Sequence, residues 1–201
     1  MALPASISRL ITALKTLPGV GTRTAERLAF HLLRAPDGEA RELAEAIVAM
    51  RGAVVACSRC NTIAESDPCP ICADESRDRT RLLVVEQPRD VAAFEEAGWR
   101  GQYHVLLGHI NALEGIEPGH LTIDGLLERV RAGGVEEIIL ATNPDYEGDA
   151  TALHLRKRLA ELSVSVSRIA RGIASGSAIE YSNSAMLADA LAGRARMDAP
   201  A

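Results

Sequence analysis

Apolar residues recur at helical spacing through the first fifty positions. Ile7, Leu10, Ile11, Leu14 and Leu17 form one stripe, with Ser6 and Ser8 placed as caps. Pro18-Gly19-Val20-Gly21 ends that stripe. Thr22 is then positioned to cap a second helix whose inner face reads Ala25, Leu28, Ala29, Leu32 and Leu33. A third helical pattern covers about 39–50, with Leu43, Ala46, Ile47 and Met50 apolar.

Beyond a cysteine-bearing stretch and a polar link over 74–80, the pattern changes. Leu82-Leu83-Val84-Val85 is short and wholly apolar, which predicts a buried parallel strand. A helix near 90–97, a strand over 103–107 and a glycine- and proline-bearing loop over 108–119 follow. Next come a helix near 123–132, a strand over 137–141, a helix over 148–162 and a strand over 164–169. This alternation predicts an α/β fold with an open, largely parallel sheet covered on both faces. A last helix near 184–191 and a loose tail over 194–201 complete the reading.

A chain of 201 residues suits one large domain, or two small ones joined by a metal module. Arg9 and Lys15 interrupt the early apolar residues, so the start does not read as a secretory signal. No apolar run approaches the length of a bilayer span. A cytoplasmic, reducing setting is the expectation. The net charge of −5 is uneven: residues 1–35 hold five basic side chains against Glu26, giving +4 and leaving −9 to the remainder. Either one end of the chain meets a polyanion, or basic residues have clustered by chance on a small helical face.

All four cysteines fall together, as Cys57-Ser58-Arg59-Cys60 and Cys69-Pro70-Ile71-Cys72. Two such C-x-x-C knuckles can complete a tetrahedral shell for Zn²⁺. Between them only Ile63 and Ala64 are hydrophobic, too little for a core. Two disulfides are the competing pairing, and a reducing compartment favours the metal.

The turn Leu17-Pro18-Gly19-Val20-Gly21 lies between two short helices. Gly19 and Gly21 permit backbone angles closed to other residues, so successive N–H groups can point outward at the start of the second helix. That end suits a phosphate, and Arg23 and Arg27, four residues apart, share a face beside it. Nothing there is shaped to read base edges, so DNA binding would ignore sequence. The alternative is a plain interhelix turn. A dinucleotide loop and a P-loop are excluded, because the third glycine, the preceding strand and the Gly-Lys-Ser/Thr are all missing.

Glu86 closes the first long strand, and Glu147 and Asp149 follow the third. In an open parallel sheet these ends border the ligand crevice. Two carboxylates about 5 Å apart repel by roughly 3 kcal/mol at an effective dielectric of about 20. Such a group calls for Mg²⁺, a basic partner or a captured proton. Alternatively, Glu86 and Asp149 simply cap the following helices. The five histidines form no H-E-x-x-H; His31 reads as a helix-face residue, and Ser175-Gly176-Ser177 as a turn.

In order, these pieces resemble the bacterial recombination mediator family RecR. The resemblance rests on Leu17 to Gly21 followed by Arg27-Leu28-Ala29-Phe30-His31-Leu32-Leu33, and on the cysteine spacing. It continues through Leu107-Gly108-His109, Ala141-Thr142-Asn143-Pro144, Glu147-Gly148-Asp149-Ala150-Thr151 and Ser167-Arg168-Ile169-Ala170-Arg171-Gly172. It implies a helix-hairpin-helix DNA-binding module over 1–52, with Gly19, Gly21, Arg23 and Arg27 at the DNA. A four-cysteine zinc finger would follow over 53–79, with Cys57, Cys60, Cys69 and Cys72 as ligands, then a Toprim domain over 80–173. Glu86, Glu147 and Asp149 would take that domain's acidic positions, open to Mg²⁺ or a docking partner. A C-terminal segment over 174–201 would make subunit contacts.

The resemblance also implies a non-enzymatic, cytoplasmic, nucleoid-associated protein with no membrane partner. It would form a ring-like oligomer, expected to be a tetramer, and act with RecO-like and RecF-like proteins in loading RecA at gaps. The chain departs from the family over Ile173 to Ser177, which keeps only one of two usual glycines, and after Glu180-Tyr181, where an acidic pair is usual. The rival expectation is a Mg²⁺-dependent Toprim enzyme: a nuclease, a primase or a topoisomerase fragment.

Overall fold

A computed structural model describes residues 3–195. The predicted tail from Arg194 lies beyond residue 195 for most of its length, outside the described residues. The chain divides into two compact units, Met1–Val54 and Val55–Ala201.

The first unit holds three helices: α1 (Ala5–Leu14), α2 (Thr22–Arg34) and α3 (Asp37–Ala53). Ile11, Ala25 and Ala29 form its core, with Ile7, Leu14 and Val20 against them. Small alanines let the two helices of the hairpin approach. α1 ends three residues before the predicted Leu17, because Thr16 and Leu17 turn onto the carbonyls of Ala13 and Leu14. Neither Ser6 nor Ser8 caps it; Pro4 holds that position. α3 buries none of its side chains, leaving Leu43, Ile47, Val48 and Met50 exposed.

The second unit opens with strands β1 (Val55–Ala56) and β2 (Ile63–Ala64), paired antiparallel, and a helical turn α4 (Pro70–Ala73). Then follow β3 (Asp78–Val85), α5 (Pro88–Glu96), β4 (Gly101–Val105), α6 (Ile123–Arg131), β5 (Glu137–Ala141), α7 (Tyr146–Leu159), β6 (Ser165–Arg168) and α8 (Ser184–Ala192). The sheet order is β4-β3-β5-β6, and every pairing is parallel. Leu82, Val84, Ile138 and Leu140 pack on one face with Leu126, Leu127 and Leu155 of α6 and α7. Leu83, Val85, Tyr103 and Val105 pack on the other with Val91 of α5. Both faces are covered, so the central stretch Leu82 to Val85 of β3 is apolar throughout rather than alternating.

β3 begins four residues before the predicted start, inside what the sequence suggested was a polar link. The reason is Arg77: it is buried at 7% exposure, ion-paired with Glu95, and donates to the Gly101 carbonyl at 3.3 Å. Glu95 also accepts from the Tyr103 hydroxyl at 2.8 Å. This tie fixes the starts of β3 and β4 against α5.

His104 lies on β4 at 1% exposure. Its Nε2 sits 3.0 Å from the Thr122 carbonyl and 2.9 Å from Thr122 Oγ1, while Nδ1 has no protein partner. Burial, with the Arg129 charge adding, pushes its pKa down to about 4. An unfolded histidine titrates near 6.5, so below that pH the unfolded chain takes up a proton that the fold refuses. Stability is therefore expected to fall as the pH drops from about 6.5 to about 4, at up to about 1.4 kcal/mol per unit. Urea unfolding across that range should show a shallower pH slope for His104→Gln than for the parent; equal slopes would rule out this residue as the cause.

Candidate nucleic-acid interface, metal centre and acidic edge

The hairpin turn is a β-turn, Val20 N–H donating to the Leu17 carbonyl at 3.1 Å. Pro18 pre-sets its first central position, and Gly19 takes φ +79° at the second, as a type II turn requires. The expectation that both glycines use special angles is corrected here. Gly21 has φ −77° and ψ 172°, ordinary extended backbone, and it is the N-cap in place of Thr22. What Gly21 contributes is open space: no atom lies within 4 Å of where its Cβ would be. The start of α2 carries no side-chain cap, so its first amides face an uncrowded approach.

Arg23 and Arg27 are both exposed, and neither is ion-paired among the described residues. Arg27, Phe30, His31 and Arg34 line a shallow cleft of about 410 Å³. His31 and Arg34, four and seven residues beyond Arg27, share its helix face and extend the cleft.

The four cysteines converge: one sulfur from each lies within 4.8 Å of the others, and all four are buried. Cys60 and Cys69 Sγ are 3.7 Å apart. A tetrahedron with metal–sulfur arms of about 2.3 Å has edges of roughly 3.8 Å. All four cysteines are free, so the disulfide pairing is not the one adopted. Backbone N–H groups of Cys69 and Cys72 donate to the sulfurs of Cys57 and Cys69 at 3.3 and 3.4 Å, orienting lone pairs inward. Packed together, the thiols ionise unequally. The Cys72 side chain and burial push Cys60 up, and burial pushes Cys69 up to about 11. For Cys57 burial is the largest single influence, but the backbone N–H donors together outweigh it and bring the thiol down to about 7. A divalent cation removes the penalty on the reluctant pair, so the donor set fits Zn²⁺. The knuckles belong to the sheet's unit: Val105 N–H donates to the Cys60 carbonyl at 2.8 Å, and Ile71 packs on both the cysteines and the sheet.

The carboxylates at the strand ends have separate partners. Val85 pairs with Ala141, which sets Glu86 beside the residues that follow β5. Glu86, at 1% exposure, accepts from Asn143 N–H at 2.8 Å and Asn143 Nδ2 at 2.7 Å, and meets His109 Nδ1 at 3.2 Å. Leu107 takes a left-handed φ of +64° to deliver that loop, a strain on the order of 1 kcal/mol. Asp149, in the first turn of α7, is ion-paired with Arg171 and with Arg168 at 2.6 Å. The guanidinium groups, Arg171 foremost, hold its carboxyl below the usual carboxylate range. Glu147 is half-buried and makes no side-chain bond among the described residues. Neither Glu86 nor Asp149 caps a helix; Gln87 and Asp145 do. Gly148 lets the start of α7 press onto the Asn143 backbone, where a Cβ would collide with the Asn143 carbonyl. Asn143, His109, Arg168 and Arg171 are the partners of the acids, and nothing in their spacing along the sequence pairs them with Glu86 or Asp149.

Fold and sites together define an α/β protein in which a helix-hairpin-helix and a four-cysteine zinc finger precede a Toprim sheet. Family descriptions match in that order: the RecR helix-hairpin-helix over residues 7–51, the RecR four-cysteine zinc finger domain over 54–74, and the Toprim domain over 80–170. A recombination protein RecR of Rhodopirellula baltica is 52% identical over 193 residues, covering 96% of this chain and 97% of that protein. Those of a Roseiflexus species and of Moorella thermoacetica are 50% and 47% identical, over 97% and 98% of this chain and 96% and 100% of theirs. The chain belongs to the RecR family of recombination proteins.

Cys60→Ser is expected to abolish stoichiometric zinc and to unfold the knuckles, since a structural zinc supplies about 10–16 kcal/mol in isolated fingers. Elemental analysis together with amide hydrogen exchange over 57–72 checks this; a variant retaining one zinc and full protection would contradict the four-thiolate shell.

Proposed function

We propose that this protein is a non-enzymatic, sequence-nonspecific DNA-binding mediator of recombinational repair. It closes as a ring-like homo-oligomer, a tetramer, and works with RecO-like and RecF-like proteins to load the RecA recombinase at gaps. The observation that carries this reading is the match to recombination proteins along 96% of the chain. The DNA surface is the start of α2, where Gly19 and Gly21 open the approach and Arg23 and Arg27 are free to neutralise phosphates. The apolar face that α3 leaves exposed supports self-association. Among the described residues no helix is long and apolar enough to cross a membrane. Cysteines 57, 60, 69 and 72 hold zinc as a structural element.

The non-enzymatic reading is supported at the acidic edge. Glu86 spends its oxygens on Asn143 and His109, and Asp149 on two guanidiniums. The Glu86 oxygens are already engaged and Asp149 already has two guanidiniums beside it, so Mg²⁺ has little to gain from either.

Arg23→Ala with Arg27→Ala should lower the slope of log affinity against log salt by about two phosphate contacts. Arg23→Glu with Arg27→Glu should remove DNA binding at moderate salt while zinc content and circular dichroism stay unchanged. Binding as tight as the parent's would show that the assigned surface is wrong. With Mg²⁺ or Mn²⁺ and a primed, nicked or supercoiled DNA, no turnover is expected; turnover that vanishes in Glu86→Gln would overturn the non-enzymatic reading.

A further inference from the structure

The second unit contains a cavity of about 760 Å³ between the cysteine knuckles, β4 and α6, lined by Arg59, Arg79, Gln102, His104, Glu128 and Arg129 among others. Its size falls in the range of small-molecule sites. Gln102 and His104 are two residues apart on β4 and so share a face. They are 4% and 1% exposed, yet Gln102 Nε2 and His104 Nδ1 have no partner in the protein.

The roles of these two nitrogens are fixed by their neighbours. Arg129 Nη2 lies 3.4 Å from Gln102 Oε1, which identifies the carbonyl end and leaves the amide NH₂ unused. Thr122 Oγ1 donates to the Val105 carbonyl at 2.7 Å, so it accepts from His104. His104 Nε2 therefore carries the proton, and Nδ1 is a bare acceptor. A buried donor and a buried acceptor thus line one cavity, each without a partner.

Three guanidinium groups line the same cavity, and none is ion-paired among the described residues. Arg129 Nη1 donates to the Tyr103 and Arg59 carbonyls at 2.7 and 3.3 Å, and Arg59 reaches the Cys72 carbonyl at 3.4 Å. The Arg79 side chain makes no hydrogen bond at all among the described residues, and the one carboxylate in the lining is Glu128.

We propose that this cavity binds a terminal phosphate monoester carried on a pentose, from either a free nucleotide or the 5′ end of a nucleic-acid strand. Arg79, with Arg59 and Arg129 beside it, matches the phosphate, whose oxygens accept paired N–H groups. A sugar hydroxyl both accepts and donates, so a pentose seated on Gln102 and His104 offers partners to Nε2 and Nδ1, which a small turn of each side chain brings from their buried positions to the cavity wall. No Phe, Tyr or Trp lines the cavity, so a base has no ring to stack on, and base identity is immaterial.

Calorimetric titration of the zinc-loaded, full-length Arg23→Ala/Arg27→Ala protein, which removes the hairpin as a second anion surface, tests this. AMP, UMP and ribose 5-phosphate should bind with similar affinity, and inorganic phosphate about tenfold more weakly. Arg79→Ala, at an exposed position that does not endanger folding, should cost about tenfold in affinity, and Gln102→Leu a similar factor. A 5′-phosphorylated oligonucleotide that displaces AMP, where its 5′-hydroxyl counterpart does not, identifies a strand end as the source. Binding of AMP without displacement by either identifies a free nucleotide. Absence of binding by all three sugar phosphates at about 10 mM, which is weaker than any specific site, overturns the proposal. So does binding unchanged by both substitutions.

Discussion

The gathering of four thiols at one point is the constraint on which the second unit turns. Residues 57–72 contribute almost no apolar surface, yet they supply the carbonyl of Cys60 that takes up Val105 N–H and the carbonyl of Arg59 that takes up Arg129. β4 is an edge strand. An uncovered edge invites pairing with other chains, and here the knuckles occupy part of that edge. The metal-ordered segment is thus less an appendage than a cover for the sheet, with Ile71 seated in both clusters.

At the opposite end of the strands, a second concentration of like charge is resolved by different means. Glu86 is buried and held by Asn143 and His109, Asp149 by two arginines, and Glu147 is left half-buried. The acidic residues occupy the crevice side of a parallel sheet, where ligands commonly bind. The oxygens of Glu86 and Asp149 are nevertheless engaged from within the chain. Asn143 is the hinge of the arrangement. Its amide groups serve Glu86, its carbonyl lies 3.5 Å from Arg168 Nη2, and its backbone is where Gly148 permits α7 to approach.

Much of this was legible in the sequence, for identifiable reasons. The parallel sheet was readable because strands buried on both faces are apolar throughout, as Leu82 to Val85 are. The knuckles were readable because thiols at that spacing have few other uses. The start of β3 was not readable: Asp78 to Thr80 are polar, and their strand depends on Arg77 finding Glu95 eighteen residues away. The same limit applies to the acidic edge. Spacing identified Glu86 and Asp149, but their partners Asn143, Arg168 and Arg171 arrive through strand order and register, which spacing does not encode. At Gly21 the residue supplies room rather than an unusual angle.

Arg171 reaches Asp149 on α7 and stands 4.0 Å from Asp189 on α8. One guanidinium therefore serves two masters, and its allegiance is divided by whatever else competes for either acid. One side chain thus ties the crevice end of α7 to the seating of α8.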